Sequence, residues 1–332
     1  MPEPSPAIPD LPLPAGEPVR LSILIVNYNG GTQLRDCLSS VYETVKTAPM
    51  EVIVVDNASS DDSVREAAGA FPQVKFIEND ENRWFTGGSN QAAAACSGEY
   101  MLFLNPDTVC HEDAVDALVR FLDDNPRAGI VGPRLLNGDG TLQPSCRKFL
   151  KSRYLVLKHL LPWSVLPDSW KRRMILEYWS HDETVEVDWL VGACLLARRK
   201  AVAEVGLKDE GFPMFHEETD WCYRMKEKGW STWFLHTARI THFGSQSTSK
   251  RWGDRLILEF YRGKHRFIRK HFGPAALFVH RVLLAGLLGA RLVAVTARRL
   301  LEDDEALRSE ISFLLGGIAI QLGLGGDDRG ED

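Results

Sequence analysis

The chain has 332 residues, 44% of them hydrophobic, and a formal net charge of -6 at neutral pH. This length and apolar content suffice to bury a sizeable core and exclude disorder over most of the chain. The acidic balance excludes nucleic-acid binding through an overall positive field.

Residues 1–20, "MPEPSPAIPDLPLPAGEPVR", have neither a basic n-region nor an apolar h-region, so no secretory signal is read, and their prolines predict an extended, flexible arm. The six cysteines (Cys37, Cys96, Cys110, Cys146, Cys194 and Cys222) form no CxxC pair and read as reduced, buried thiols of a cytosolic protein. From Leu21 the apolar run "LSILIV", the loop "NYNG" and the amphipathic "TQLRDCLSSVYETV" predict a strand, a loop and a helix. The unit recurs in "EVIVVDNASSDD" with "SVREAAGAF", in "VKFIEND" with "GGSNQAAAAC", and in "YMLFLNPDT" with "EDAVDALVRFLDD". Strands apolar on both faces that alternate with helices predict an α/β fold with a mainly parallel sheet covered on both sides. No GxGxxG follows the first strand, which excludes a Rossmann dehydrogenase.

Ligands of such sheets bind outside the carboxyl ends of the strands. The polar residues there are Asn27, Tyr28 and Asn29; Asp56 and Asn57; Asn79 to Asn82; and Asn105 and Asp107. Each set also fits an Asx turn. Asp107 on a rigid strand end can offer oxygen to a hard divalent cation or cap the next helix. Asp56 can accept the imide N–H of uracil or thymine, or close a turn.

Further on, residues 143–180 mix basic residues with Leu, Trp and Tyr, and "VEVDWLVGACLLARR" reads as a strand-like run. "FHEETD" (residues 215–220) then sets three carboxylates ahead of the helix-like "WCYRMKEKGW". Acids in a first turn suit the helix dipole, by about 0.3–1 kcal/mol each. At helical spacing Glu217 and Asp220 share a face, while Glu218 lies about 100° away. "STWFLHTARITHFGSQS" follows. From Pro274 the chain is strongly apolar, interrupted by His280, Arg281, Arg291, Arg298 and Arg299. These five fall within an arc of about 100° on a helical wheel, so the segment reads as an amphipathic helix in a membrane interface rather than a transmembrane span. A helix packed on the domain or on another subunit is the alternative.

In their order, "SILIVNYNG", "VIVVDNASSDDS", "ENRWFTGGSNQA", "LFLNPDT", "VDWLVGACLLARR", "FHEETDWCYRMKEKGW" and "RITHFGSQST" resemble the family 2 inverting glycosyltransferases of the GT-A type, from about Leu21 to about Lys270. "NPDT", "GACLLARR" and "EFYRGKHRFIRKHFGP" look most like the bacterial rhamnosyltransferases of that family. The resemblance implies a GT-A fold, Rossmann-like with helices on both faces of the sheet, followed by C-terminal amphipathic helices. It divides the chain into the arm (1–20), a glycosyltransferase domain (21–250, with a nucleotide-sugar half 21–135 and an acceptor half 136–250), a basic amphipathic region (251–315) and a flexible tail (316–332).

The resemblance also implies roles. Asn27 and Asp56 would hold base and ribose, and Asn82, Gly88 and Asn90 would line the nucleotide or phosphate side. Arg83 would contact diphosphate or stay solvated. Asp107 matches the last acid of a DxD-like motif, here reduced so that Asn105 supplies no charge, and His242 would complete a Mg²⁺ or Mn²⁺ site. Trp84 stands where the family commonly has glycine, which puts the local backbone in question. Of the acids, Glu218 would be the base, with Glu217 and Asp220 orienting or capping. The implied reaction moves a sugar, L-rhamnose from dTDP-L-rhamnose by preference, to a polyprenyl-linked or cell-wall glycan by single displacement. The implied setting is peripheral, on the cytoplasmic face of a plasma membrane whose anionic surface the basic segments bind; homo-oligomerisation is left open. The alternatives are another nucleotide sugar, or a non-catalytic scaffold that binds a glycan or partner.

Overall fold

The computed structural model describes residues 19–149, 167, 169, 179–244, 254–299 and 305–324. Most of the arm, the basic stretch beyond Phe149 up to Tyr178 apart from two residues, and the end of the tail lie outside these. The chain forms two compact units, one of residues up to Phe149 with Pro167–Arg251, the other including the residues from Trp252 onward.

The first unit begins as the sequence predicts. Strand β1 (Leu21–Asn27), helix α1 (Thr32–Thr44), β2 (Met50–Asp56), α2 (Ser63–Ala70), β3 (Lys75–Glu78), α3 (Trp84–Ala95) and β4 (Tyr100–Leu104) alternate along the chain. After β4 come β5 (Thr108–Cys110), α4 (Ala114–Asp124), β6 (Ala128–Leu136), β7 (Leu142–Gln143) and β8 (Cys146–Arg147). The expected single run "VEVDWLVGACLLARR" is instead three strands, β9 (Val185–Val187), β10 (Trp189–Leu190) and β11 (Cys194–Arg198). Asp188 interrupts it by accepting the Phe149 N–H, and a turn at Gly192–Ala193 interrupts it again. Helix α5 (Arg199–Val205), helix α6 (Glu217–Glu227) and β12 (Ser231–His242) complete the unit.

The main sheet runs β3-β2-β1-β4-β11-β6-β12-β5. Its first four strands are parallel, in a register that pairs Asn27 with Asp56 and Ile25 with Leu104, so their polar ends share one edge. Strand β11 is antiparallel to β4 and β6, and β12 is parallel to β6 but antiparallel to β5. Both faces are apolar because the strands alternate between two cores. Ile23, Ile25, Leu102 and Leu104 pack with Leu34 and Leu38 of α1 on one side; Leu24, Met101 and Phe103 pack with Ala92 and Ala93 of α3 and Trp221 of α6 on the other. Each such aliphatic side chain contributes about 1.5–3 kcal/mol of burial, which fixes the strand ends that carry the polar loops.

In the second unit, helix α7 (Asp254–Arg299) is broken at Gly273 (φ 84°), ahead of Pro274. Helix α8 (Glu305–Leu322) extends into the range expected as tail. Leu284, Leu288 and Val295 pack with Leu307 and Leu314 between the two helices. The expected basic stripe is only partly a solvent face. His280 is buried, its ring 6.0 Å edge-on from His265, and Arg291 pairs with Glu310 of α8 at 2.6 Å. Burial pushes the His265 imidazole down to about 4 and His280 to about 3, so both are neutral. Helix α7 is long and apolar enough over Glu259–Arg299 to cross a membrane by length and composition.

Candidate active site

At the joined ends of β1 and β2, Asn27 is fully buried and donates through Nδ2 to Asp56 Oδ1 at 2.8 Å, to Ser59 and to Ser63. Asp56 also accepts the Ser59 N–H at 2.9 Å and the Ser59 hydroxyl at 2.5 Å. Asp56 therefore closes an Asx turn and keeps acceptor capacity on Oδ2. Asn27 sits beneath it with its Nδ2 saturated by this turn, while its Oδ1 is buried without a partner.

The start of α3 carries the strain anticipated for Trp84. Its φ is +60°, a region that costs a residue with a Cβ roughly 1–2 kcal/mol. Two hydrogen bonds hold it there, from Trp84 N–H to Asn82 Oδ1 and from Asn57 Nδ2 to the Trp84 carbonyl, both 2.8 Å. The indole is 37% exposed, and Arg83 beside it is exposed too. Gly88 and Asn90, expected along the nucleotide, have packing and hydrogen-bond roles within the fold. A Cβ on Gly88 would lie 2.8 Å from Val26 Cγ1, so glycine is there for helix-to-strand approach. Asn90 exchanges hydrogen bonds with the Lys208 backbone (2.9 and 3.1 Å) and donates to Glu210, which consumes its amide.

The antiparallel pairing of β12 with β5 sets His242 opposite Thr108, and the Phe243 N–H bonds the Asp107 carbonyl at 3.0 Å. This brings His242 Nε2 to 3.3 Å from Asp107 Oδ1. His242 Nδ1 contacts Gln143 Oε1 at 2.7 Å, while the Gln143 amide nitrogen donates to Asn137 Oδ1 at 3.0 Å, which fixes the amide's orientation. Oε1 must then accept from Nδ1–H, leaving the Nε2 lone pair toward the carboxylate. Two lone pairs at this distance repel unless a proton or a cation lies between them. Asn105 adds an Oδ1 that is buried without a partner, and its Nδ2 reaches Nε2 only at 3.4 Å. A carboxylate, an imidazole nitrogen and an orphan amide oxygen fit a divalent cation, with a glutamine as outer support. Among the described residues no third acid, His or Cys joins the set.

The N–H of Asn105 bonds the carbonyl of Ala193 at 2.9 Å. Gly192, next to it, faces Glu217 and Glu218, both within 3.7 Å of where its Cβ would stand. The acidic turn is thus packed against the turn that touches Asn105. It enters α6 through two left-handed residues, Phe215 and His216, both at φ 63°, each costing about 1–3 kcal/mol. The wheel separates Glu217 from Glu218, yet their carboxyl groups lie within hydrogen-bonding reach. Burial raises both above the usual carboxylate range, Glu218 further because Glu217 opposes its charge. The two carboxyls therefore titrate as a pair, with the first proton bound more tightly than by an ordinary carboxylate. One oxygen of each is buried without a partner. Asp220 pairs with Arg224 at 2.7 Å, and Arg224 binds the carbonyls of Val205 and Leu207.

A profile described as Glycosyl transferase family 2 matches residues 22–204, more than half of the chain. The chain belongs to glycosyl transferase family 2. It is 26% identical over 245 residues to an N-acetylglucosaminyl-diphospho-decaprenol L-rhamnosyltransferase of Mycobacterium tuberculosis, covering 69% of this chain and 78% of that one. It is 25% identical over 217 residues to a low-salt glycan biosynthesis hexosyltransferase of Haloferax volcanii, covering 63% and 62%. A solved mannosyltransferase of Pyrobaculum calidifontis, in complex with GDP-Man and Mn²⁺, superposes with a TM-score of 0.52 at 17% identity over 98% of this chain and 92% of that one. It bears out the GT-A fold.

Two residues of this family 2 glycosyltransferase carry no mark in the sequence. Gln143 sits in a two-residue strand, and only its contact with His242 reveals it. Lys208 is 3% exposed, with Nζ unpartnered. Its ammonium lies 4.6, 4.5 and 5.8 Å from the ring centroids of Phe85, Phe103 and Trp221.

Proposed function

We propose that the chain is an inverting hexosyltransferase that moves a sugar from a nucleoside diphosphate to a hydroxyl of a lipid-linked glycan, with L-rhamnose from dTDP-L-rhamnose as the donor group. The observation that carries this reading is the carboxyl pair Glu217–Glu218, packed on the turn that touches Asn105. The similarity to the mycobacterial rhamnosyltransferase supports the sugar and the lipid-linked acceptor.

In the transfer, the acceptor oxygen attacks the anomeric carbon, the bond from that carbon to the diphosphate oxygen breaks, and Glu218 takes the hydroxyl proton. A base so placed contributes roughly 10²–10⁴-fold. Because burial holds the carboxyls of the pair protonated to higher pH than usual, Glu218 must ionise before it can act, so transfer rises with pH through the pair's titration. Asp107, His242 and the Asn105 amide oxygen would hold Mg²⁺ or Mn²⁺, with Gln143 fixing the histidine tautomer. When bound, such a cation supplies positive charge to the departing diphosphate. Arg83, exposed beside Trp84, would contact the same diphosphate. The second unit, with Phe278 70% and Val293 71% exposed on α7, is assigned to a peripheral position on an anionic cytoplasmic membrane face.

A thermal-shift panel of nucleotide sugars with Mg²⁺ and Mn²⁺ tests the donor, because a ligand bound only by the native state raises the midpoint. Transfer onto a polyprenyl-diphosphate-linked N-acetylglucosamine then tests the reaction. Stabilisation by no nucleotide sugar would count against the whole reading; stabilisation without turnover would favour a binding scaffold.

A further inference from the structure

Lys208 has no hydrogen-bond acceptor for its ammonium among the described residues, although it is buried. Burial lowers the Lys208 pKa, and the charges that oppose this shift are Glu217 and Glu218, which head the helix whose Trp221 ring lies 5.8 Å from the ammonium. The other groups nearby are committed. Glu210 accepts from Asn90, Asp220 from Arg224, and the Cys222 thiol is pushed up to about 12 by burial and stays neutral. The Lys208 backbone is clamped on both N–H and C=O by Asn90 of α3, so the ammonium is placed by the sheet-packed helix and not by a free loop.

We propose that Lys208 is a positioning residue that keeps one carboxylate of the Glu217–Glu218 pair ionised in its buried turn, so that the pair can accept a proton at neutral pH. The inference rests on the reading of the pair as the seat of the base. Phe85, Phe103 and Trp221 come from α3, β4 and α6, and their ring faces present partial negative charge to the ammonium while excluding water. Without the ammonium the pair would face the same dry surroundings with no counter-charge, and both carboxyls would hold protons to higher pH.

The test is a ¹³C NMR titration of glutamate side-chain carboxyls in the full chain, with the two resonances assigned from Glu217→Gln and Glu218→Gln. Lys208→Met is of similar length and neutral, and Lys208→Gln serves as a second variant if the first does not fold. The expected result is a rise of about one pH unit or more in the lower midpoint of the pair, a tenfold loss of ionised carboxylate at a fixed pH below it. The acid limb of kcat/KM should move by the same amount, with activity restored at higher pH and donor KM unchanged. An unmoved midpoint in folded variants overturns the proposal, as does a kcat/KM that falls equally at every pH. The NMR titration needs no substrate, so a chain that turns over no nucleotide sugar would count against the proposed function and leave this readout standing.

Discussion

His242 turns Nε2 to within 3.3 Å of Asp107 while its Nδ1–H is committed to Gln143 at 2.7 Å. The histidine is held as an acceptor facing a carboxylate, and Gln143 does the holding. Gln143→Leu should therefore weaken Mn²⁺ binding by roughly 10–100-fold, as loss of an outer-shell partner does. Titration of Mn²⁺ by electron paramagnetic resonance, in the presence of a nucleoside diphosphate, reads this directly; unchanged affinity would mean that the glutamine only packs the strand.

Glu218→Gln should reduce transfer by about 10²–10⁴-fold with nucleotide binding preserved. Normal turnover by that variant would remove Glu218 from the mechanism. Stability gives a second reading. The folded chain raises the Glu218 carboxyl well above 4.5, so the stability linked to its proton is complete below the unfolded value and is lost as pH rises through the folded one. Glu218→Gln cannot ionise, and its thermal midpoint relative to wild type should increase as pH rises above the ordinary carboxylate range. A constant difference as pH rises would show that the carboxyl is not buried as described.

Trp84, at φ +60°, is strained by its backbone and not by its size. Trp84→Gly and Trp84→Ala both remove the indole, but only glycine relieves the left-handed penalty. Glycine should be the more stable of the two by about 1 kcal/mol in urea unfolding. Equal stabilities would show that the turn relaxes at no cost.

Gly88→Ala should destabilise by about 1–3 kcal/mol, because its methyl would press on Val26 and Asn57. Nucleotide affinity, measured on the folded fraction, should change little. A stable variant with lost affinity would return Gly88 to the ligand-lining role that the resemblance implied.

The parallel half of the sheet was legible because "LSILIV", "EVIVVD" and "YMLFL" are apolar on both faces and too short for helices. Asp107 and His242 stand out one at a time, but nothing local shows that they meet; the pairing of β12 with β5 brings them together. The wheel misplaced Glu218 because it treats side chains as fixed spokes, whereas long side chains in a first turn have no preceding turn to confine them. Lys208 was illegible for a different reason. Its burial depends on rings from three elements converging on one point, a property of packing that no window of sequence contains.

On α7, Phe278 and Val293 are exposed large apolar side chains. Phe278→Glu with Val293→Glu, in the full chain, should abolish co-flotation with vesicles containing anionic lipid and leave nucleotide-sugar stabilisation intact. Recovery of wild type and variant alike in the vesicle fraction would assign membrane contact elsewhere.

Asn90 grips both backbone groups of Lys208, and Thr86 grips the same loop through the Phe212 carbonyl at 2.5 Å. The helix that opens with Arg83 and Trp84 and the loop that leads to Glu217 and Glu218 therefore travel as one piece. A displacement at the opening turn of α3 is passed through these bonds toward Glu217 and Glu218, so a substitution at one end reshapes the other.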